Sequence, residues 1–380
     1  MKPKIPFLDL KRLNEPYMEE MTVAMSNVIS SGWYVGSPVN QVFEKQLADY
    51  LGVTEVVGVS NGLDALTLIL CAYIELGKLS PGDEVIVPAN TYIASVLAIT
   101  RAGLKPVLVE PSASTLNLDS TLVEAAITPL THAIMPVHLY GRACWDEELK
   151  DIVTRHNLIV VEDNAQGLGS TALTSPLFGT SKMTGALGHA AALSFYPTKN
   201  LGALGDSGVV ATHDPELAAT VRALANYGSD RRYHNIFKGF NCRLDPVQAA
   251  ALTVKLKYLD RDNNRRRDIA RKYTDVIKSP FMELPVPADF QTTNFHQLVA
   301  LSPHREELRQ WLDHNGIATD IHYAVPPHRQ PCYKTEFSHY HLPVTDGLAT
   351  QVISLPIAPY LADEDVDYII NCINSFSPAK

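Results

Sequence analysis

Cysteine is scarce in this sequence, with five in 380 residues. Cys71, Cys144, Cys242, Cys332 and Cys372 form no Cys-x-x-Cys pair, and any pairing leaves one over. That excludes a complete disulfide framework and a clustered zinc site, so no metal is expected and the thiols read as reduced. An excess of basic charge is also lacking: 32 Lys and Arg against 41 Asp and Glu give a formal charge of −9. General nucleic-acid binding is thereby excluded, because a phosphate backbone needs a basic face, and any anionic ligand must meet a local positive site. No long hydrophobic run occurs. The longest apolar stretch, residues 66–74, is under half of the roughly 20 residues that a membrane span requires, and reads as the buried side of a helix. Charges at Lys2, Lys4, Asp9, Lys11 and Arg12 interrupt the start of the chain, which leaves no signal-peptide core and makes a cytoplasmic protein with no membrane partner the expectation. Neither the Gly-x-Gly-x-x-Gly nor the Walker lysine pattern is present, which argues against dinucleotide binding and NTP hydrolysis.

What is there is strand and helix alternation. Short β-branched or apolar runs at 56–59, 84–87, 106–109, 134–137, 158–161 and 190–195 are separated by helical patterns. Runs apolar on both faces predict an α/β fold with a mainly parallel sheet sandwiched by helices, and ligands beyond the carboxyl ends of its strands. Asp214-Pro215 and Asp245-Pro246 each pair an N-cap with a first-turn proline, predicting helices over 215–225 and from Pro246 onward, the second a long one. A large domain over residues 1–245 and a smaller C-terminal α+β domain over 246–380, bridged by that long helix, is the expected division. The Ser/Thr-rich stretch 169–185 reads as a surface loop.

Four elements at predicted strand ends carry chemistry. Ser60-Asn61-Gly62-Leu63-Asp64 turns a strand into an apolar helix, so backbone N–H groups and the helix dipole face the ligand side as a phosphate cup. Tyr92 follows Val87-Pro88-Ala89-Asn90-Thr91, where an aromatic ring could stack on a flat ligand. Glu162-Asp163-Asn164-Ala165-Gln166 sets a carboxylate and an amide three residues apart; Asp163 beside a pyridine nitrogen would favour its protonated form, and Gln166 could donate to a ring hydroxyl. In Ser194-Phe195-Tyr196-Pro197-Thr198-Lys199-Asn200, Lys199 sits in a tight loop where burial would free its amine for imine formation, and Ser194 could bind a phosphate. Singly, Asp163 also reads as a turn cap, Tyr92 as a core tyrosine and Lys199 as a solvated loop lysine. Their joint order along the chain decides against those readings.

These segments, with Ser31-Gly32-Trp33-Tyr34-Val35-Gly36 and Pro136-Val137-His138-Leu139-Tyr140-Gly141, make the chain resemble the DegT/StrS-type nucleotide-sugar aminotransferases over nearly its whole length. The resemblance implies fold type I of the pyridoxal-phosphate (PLP) enzymes, with pyridoxamine phosphate arising in turnover. It makes Lys199 the Schiff-base lysine, Asp163 the partner of the ring nitrogen, Gln166 a contact of the ring oxygen and Tyr92 the stacking ring. Ser194, Asn61 and the amides of Gly62 and Leu63 would hold the phosphate. It further implies a homodimer with shared active sites, in which Asn241 reaches the partner's phosphate. Phe240, Cys242 and Pro246 depart from the residues common in the family.

The segment Thr319-Asp320-Ile321-His322-Tyr323 resembles the subset that aminates C-3 of dTDP-3-keto-6-deoxyhexoses, with L-glutamate as amino donor. On that resemblance His322, Tyr323, Tyr34, Tyr196 and Arg243 are the candidate substrate contacts. Relatives that carry histidine in place of the lysine are dehydratases, and Lys199 argues against that chemistry.

Overall fold

The computed structural model describes residues 4–378. Seven strands form one sheet: Glu55–Val59 (β1), Glu84–Pro88 (β2), Lys105–Val109 (β3), Thr131–Ile134 (β4), Ile159–Asp163 (β5), Ala190–Ser194 (β6) and Gly208–Thr212 (β7). Their spatial order is β1-β7-β6-β5-β4-β2-β3. Every neighbouring pair is parallel except the two that involve β7. Because side chains alternate across a strand, each run feeds two cores. Val57, Val59, Val85, Val87, Val161, Ala190, Ala192 and Val210 pack with the helices Gly62–Glu75, Ile93–Arg101 and Pro215–Leu224 on one face. On the other face, Val56, Ala191, Leu193, Val209 and Ala211 meet Pro38–Leu51 and Pro246–Leu256, while Ile86, Ile134 and Val160 meet Glu147–Arg155.

The helix predicted to run on from Pro246 is two helices, Pro246–Leu256 and Leu259–Val276. Ala249 and Leu252 of the first belong to the sheet's core, whereas Ile269, Ala270 and Tyr273 of the second belong to a separate core. That second core is built around the antiparallel pair Leu298–Leu301 and Val352–Leu355, the last two strands of the chain, with the helices Arg305–His314 and Asp363–Asn374. Ile5, from the other end of the chain, is buried in it and bridges to Ile317.

The stretch predicted as a surface loop is partly an ordered arm. Thr171 pairs with Met183, and Ala172, Thr174 and Thr184 are buried. Its Phe178 stands edge-on to His189, just before β6 begins, with ring centroids 5.0 Å apart. The arm therefore reaches the amino end of the sheet, opposite Lys199, where Ala172 and Leu177 join the core that holds Ile86, Ile134 and Val160, while Leu173 stays exposed. Among the described residues no helix is long and apolar enough to cross a membrane.

Candidate active site

A cavity of about 440 Å³ opens at the carboxyl ends of the parallel strands. Local sequence dictates which groups face it. At the end of β1, Asn61 caps the helix Gly62–Glu75, its Oδ1 accepting from the Asp64 N–H at 2.8 Å. The backbone N–H groups of Gly62 and Leu63 are thus left to the cavity, together with the positive end of the helix dipole. Gly62 is required there by space: a Cβ would stand 2.7 Å from the Cβ of Ser194, which ends β6. Ser194 and the start of that helix therefore face one another across the cup.

Asp163 closes β5 and is 5% exposed. Its Oδ2 accepts from the Ser95 hydroxyl at 2.7 Å and its Oδ1 from the Ala165 N–H at 3.1 Å. Ser95 is itself bonded to Thr91 at 2.7 Å. Behind it Glu162 accepts from the N–H groups of Gly185, Leu187 and Gly188 and pairs with His138 Nε2 at 2.8 Å. His138 Nδ1 accepts from the Cys144 N–H, so the proton sits on Nε2 and is donated to Glu162. Buried carboxylates need such partners, and here they fix the strand end that aims Asp163.

Lys199 lies in the loop from β6 to β7, half-buried, where the backbone curls so tightly that a Cβ on Gly202 would meet the Pro197 carbonyl at 2.4 Å. Loss of hydration around the amine lowers its pKa to about 8, with the Asp163 charge opposing the shift. Although part of the side chain is open to the cavity, no hydrogen bond or ion pair among the described residues holds its Nζ. Its neighbour Asn200 is clamped: Nδ2 donates to Asn263 Oδ1 at 2.8 Å and to the Asn294 carbonyl at 3.2 Å, and Oδ1 faces His296 Nδ1 at 3.0 Å.

Over the cavity, the Tyr92 and Tyr323 rings lie 5.2 Å apart. Gln166 Oε1 accepts from the Tyr140 N–H at 2.6 Å and its Nε2 donates to Tyr323 Oη at 3.0 Å. His322 lines the same cavity, its Nδ1 bonded to Ser354 Oγ at 2.7 Å, and burial holds its pKa below the ordinary histidine value. Tyr196 is also a wall residue.

Three predicted residues stand outside this cavity within one chain. Tyr34 is exposed and donates to the Ile29 carbonyl at 3.0 Å. Arg243 lines a different cavity and donates to Asn226 Oδ1 at 2.8 Å. Asn241 is exposed and bridges to Asn226. Sequence reasoning missed Ser95, Asn200 and His296. Ser95 lies three residues past Tyr92, on the first turn of the next helix, and that spacing could have flagged it. No local pattern could have brought His296 from the distant smaller core.

Residues 17–374 match the model of the DegT/DnrJ/EryC1/StrS aminotransferase family. The chain is 46% identical to a dTDP-3-amino-3,6-dideoxy-alpha-D-galactopyranose transaminase of Aneurinibacillus thermoaerophilus, over 98% of this chain and 99% of that one. It is 42% identical to a dTDP-3-amino-3,4,6-trideoxy-alpha-D-glucose transaminase of Streptomyces venezuelae, over 99% and 97%. Among solved structures, DesV of S. venezuelae in complex with a ketimine intermediate aligns with a TM-score of 0.92 at 43% identity, covering 98% of each chain. NtdA of Bacillus subtilis with bound cofactor PMP aligns at 0.88 and 30% identity, over 98% of this chain and 85% of that one. With a mainly parallel seven-stranded sheet between helices and a lysine and carboxylate at its carboxyl edge, the chain has fold type I and belongs to the DegT/DnrJ/EryC1/StrS aminotransferase family.

Proposed function

We propose that the chain transfers the amino group of L-glutamate to C-3 of a dTDP-linked 3-keto-6-deoxyhexose, using PLP held at Lys199. The supporting observation is that one cavity contains an unpartnered amine with a pKa near 8 and a buried carboxylate fixed by two donors. The relatives' names, both dTDP-3-amino-sugar transaminases, favour the nucleotide-sugar acceptor.

The residues present suit PLP. Ser194 Oγ and the amides of Gly62 and Leu63 make an anion cup at a helix N-terminus, and the close contact between Gly62 and Ser194 leaves no room for a side chain. Tyr92 offers a ring face, Gln166 an amide donor and Asp163 a partner for a ring N–H. When bound, PLP supplies an electron sink for the carbon that gives up its proton. Asp163 would accept a hydrogen bond from the ring nitrogen and so favour its protonated form. Lys199 would hold the cofactor through its Nζ, and that amine, when free, would take the proton from the donor's α-carbon and deliver one to the acceptor's sugar carbon in the second half. The amino group leaves L-glutamate as that carbon becomes a ketone, and the sugar ketone becomes an amine, so the exchange is redox-neutral. Asn241 of a second copy would complete the phosphate site, which makes the active form a homodimer.

Incubating the protein with L-glutamate and a panel of dTDP- and UDP-linked 3-keto and 4-keto sugars tests the substrate. Nitrogen transfer is expected only to the dTDP-linked 3-keto-6-deoxyhexoses; amination of the 4-keto sugars instead would overturn the assignment. Gly62→Ala, by forcing apart the cup's two sides, is expected to weaken PLP binding at least tenfold and to destabilise the fold by about 1–3 kcal/mol. Fluorescence titration of the apo-protein and thermal melting check both.

A further inference from the structure

His296 lines the Lys199 cavity yet belongs to none of the roles above. It is 5% exposed and follows Asn294, which donates to the Gln166 and Leu168 carbonyls at 2.9 Å each, so its backbone is fixed to the strand-end segment. The neighbouring network assigns its proton. Asn200 spends its amide N–H groups on Asn263 Oδ1 and the Asn294 carbonyl, so its Oδ1 must accept, and His296 Nδ1 must be the donor at 3.0 Å. That leaves Nε2 as a lone-pair acceptor, with no hydrogen-bond partner among the described residues. Burial, with the charges of Lys199, Arg266 and His322 adding to it, holds the ring well below the ordinary histidine pKa, so the acceptor is neutral at physiological pH.

A fixed neutral acceptor discriminates between the two substrates of the proposed reaction. The carboxylates of an amino donor bring only lone pairs to it, whereas a sugar brings hydroxyl hydrogens. The opposite polarity is available nearby: Tyr323 Oη accepts from Gln166, leaving its own hydrogen free to donate. We propose that His296 sets specificity for the amino acceptor, its Nε2 taking a hydrogen bond from a hydroxyl of the keto-sugar. This assignment rests on the functional reading above and deepens it.

The test follows the two half-reactions separately in the holoenzyme, by absorbance, first with L-glutamate alone and then with the keto-sugar alone. His296→Phe is expected to leave the glutamate half-reaction within about threefold and to slow the sugar half-reaction roughly ten- to a hundredfold, the scale of one hydrogen bond lost in a buried site. His296→Gln, whose amide can donate to Asn200 and still accept in the cavity, should recover part of that loss. Among keto-sugars each lacking one hydroxyl, one should be as slow with the wild type as the parent sugar is with His296→Phe, and indifferent to the substitution. Equal slowing of both half-reactions, placing the effect on Asn200 and Lys199, would overturn the proposal, as would no slowing of either. A wild-type protein that shows no glutamate half-reaction would instead overturn the PLP reading itself, and this inference with it.

Discussion

Lys199→Ala is expected to bind PLP and yet turn over at least roughly a thousandfold more slowly, because the proposed reaction uses the same amine as covalent anchor and as proton carrier. The cup at Asn61, Gly62 and Ser194, the Tyr92 ring and Asp163 are untouched, so cofactor remains associated, but borohydride no longer fixes it to the chain. Wild-type protein treated in the same way should carry the adduct on the peptide containing residue 199. Its pH dependence has a definite sign. Desolvation disfavours the ammonium, so the reactive neutral amine appears at lower pH than for a lysine in water. The rate at which apo-protein combines with PLP should rise with pH to a midpoint near 8 and then level off. A midpoint at the ordinary lysine value of about 10.4 would mean the amine is solvated, and full turnover by Lys199→Ala would remove it from the chemistry.

The legibility of this site in the sequence follows from where its parts lie. Asn61, Tyr92, Asp163 and Ser194 each stand at or just past the end of a strand in a mainly parallel sheet. Strand periodicity and helix caps are local signals, and the rule that ligands sit beyond carboxyl ends converts them into a place. Lys199 falls between two strand patterns in the sequence, and it lies in the connection over residues 195–207 that joins β6 to β7. Where the reading fell short, the determining contacts are distant in sequence. The helix expected to continue from Pro246 breaks after Leu256 because its two halves serve different cores, and helical periodicity does not say which core a face will meet. The arm around Phe178 has a loop's composition, dominated by Ser and Thr, and what orders it is a few dispersed contacts: Ala172 and Leu177 in one core, Met183 against another, and the Phe178–His189 ring pair. His296 and Asn200 meet across 96 positions, a contact that only the docking of the smaller core on the larger creates.

Asp163→Ala should cost nearly as much as loss of Lys199, by a different route and with a diagnostic rescue. In the wild type the carboxylate is held by Ser95 and the Ala165 N–H, so it neither rotates away nor gains enough solvent to be screened. Removing one member of a buried charged pair costs about 3–5 kcal/mol, a hundred- to a few-thousandfold in rate if the pair matters to the rate-limiting step. Lys199 is intact in this variant, so borohydride still fixes the cofactor, which separates the two losses. Because the Asp163 charge raises the pKa of Lys199, its removal should also move the amine's midpoint below about 8. The ring nitrogen of bound PLP, lacking its partner, would then hold its proton less tightly and the electron sink would weaken. A cofactor analogue methylated on that nitrogen carries the positive charge permanently and has no need of the carboxylate. Reconstituting Asp163→Ala with it should restore a substantial part of the turnover, while the same analogue should gain nothing in wild-type protein, where the methyl group crowds Asp163. If the methylated cofactor fails to rescue while binding normally, Asp163 acts by shaping the pocket and not through charge, and the ring of the cofactor does not lie against it.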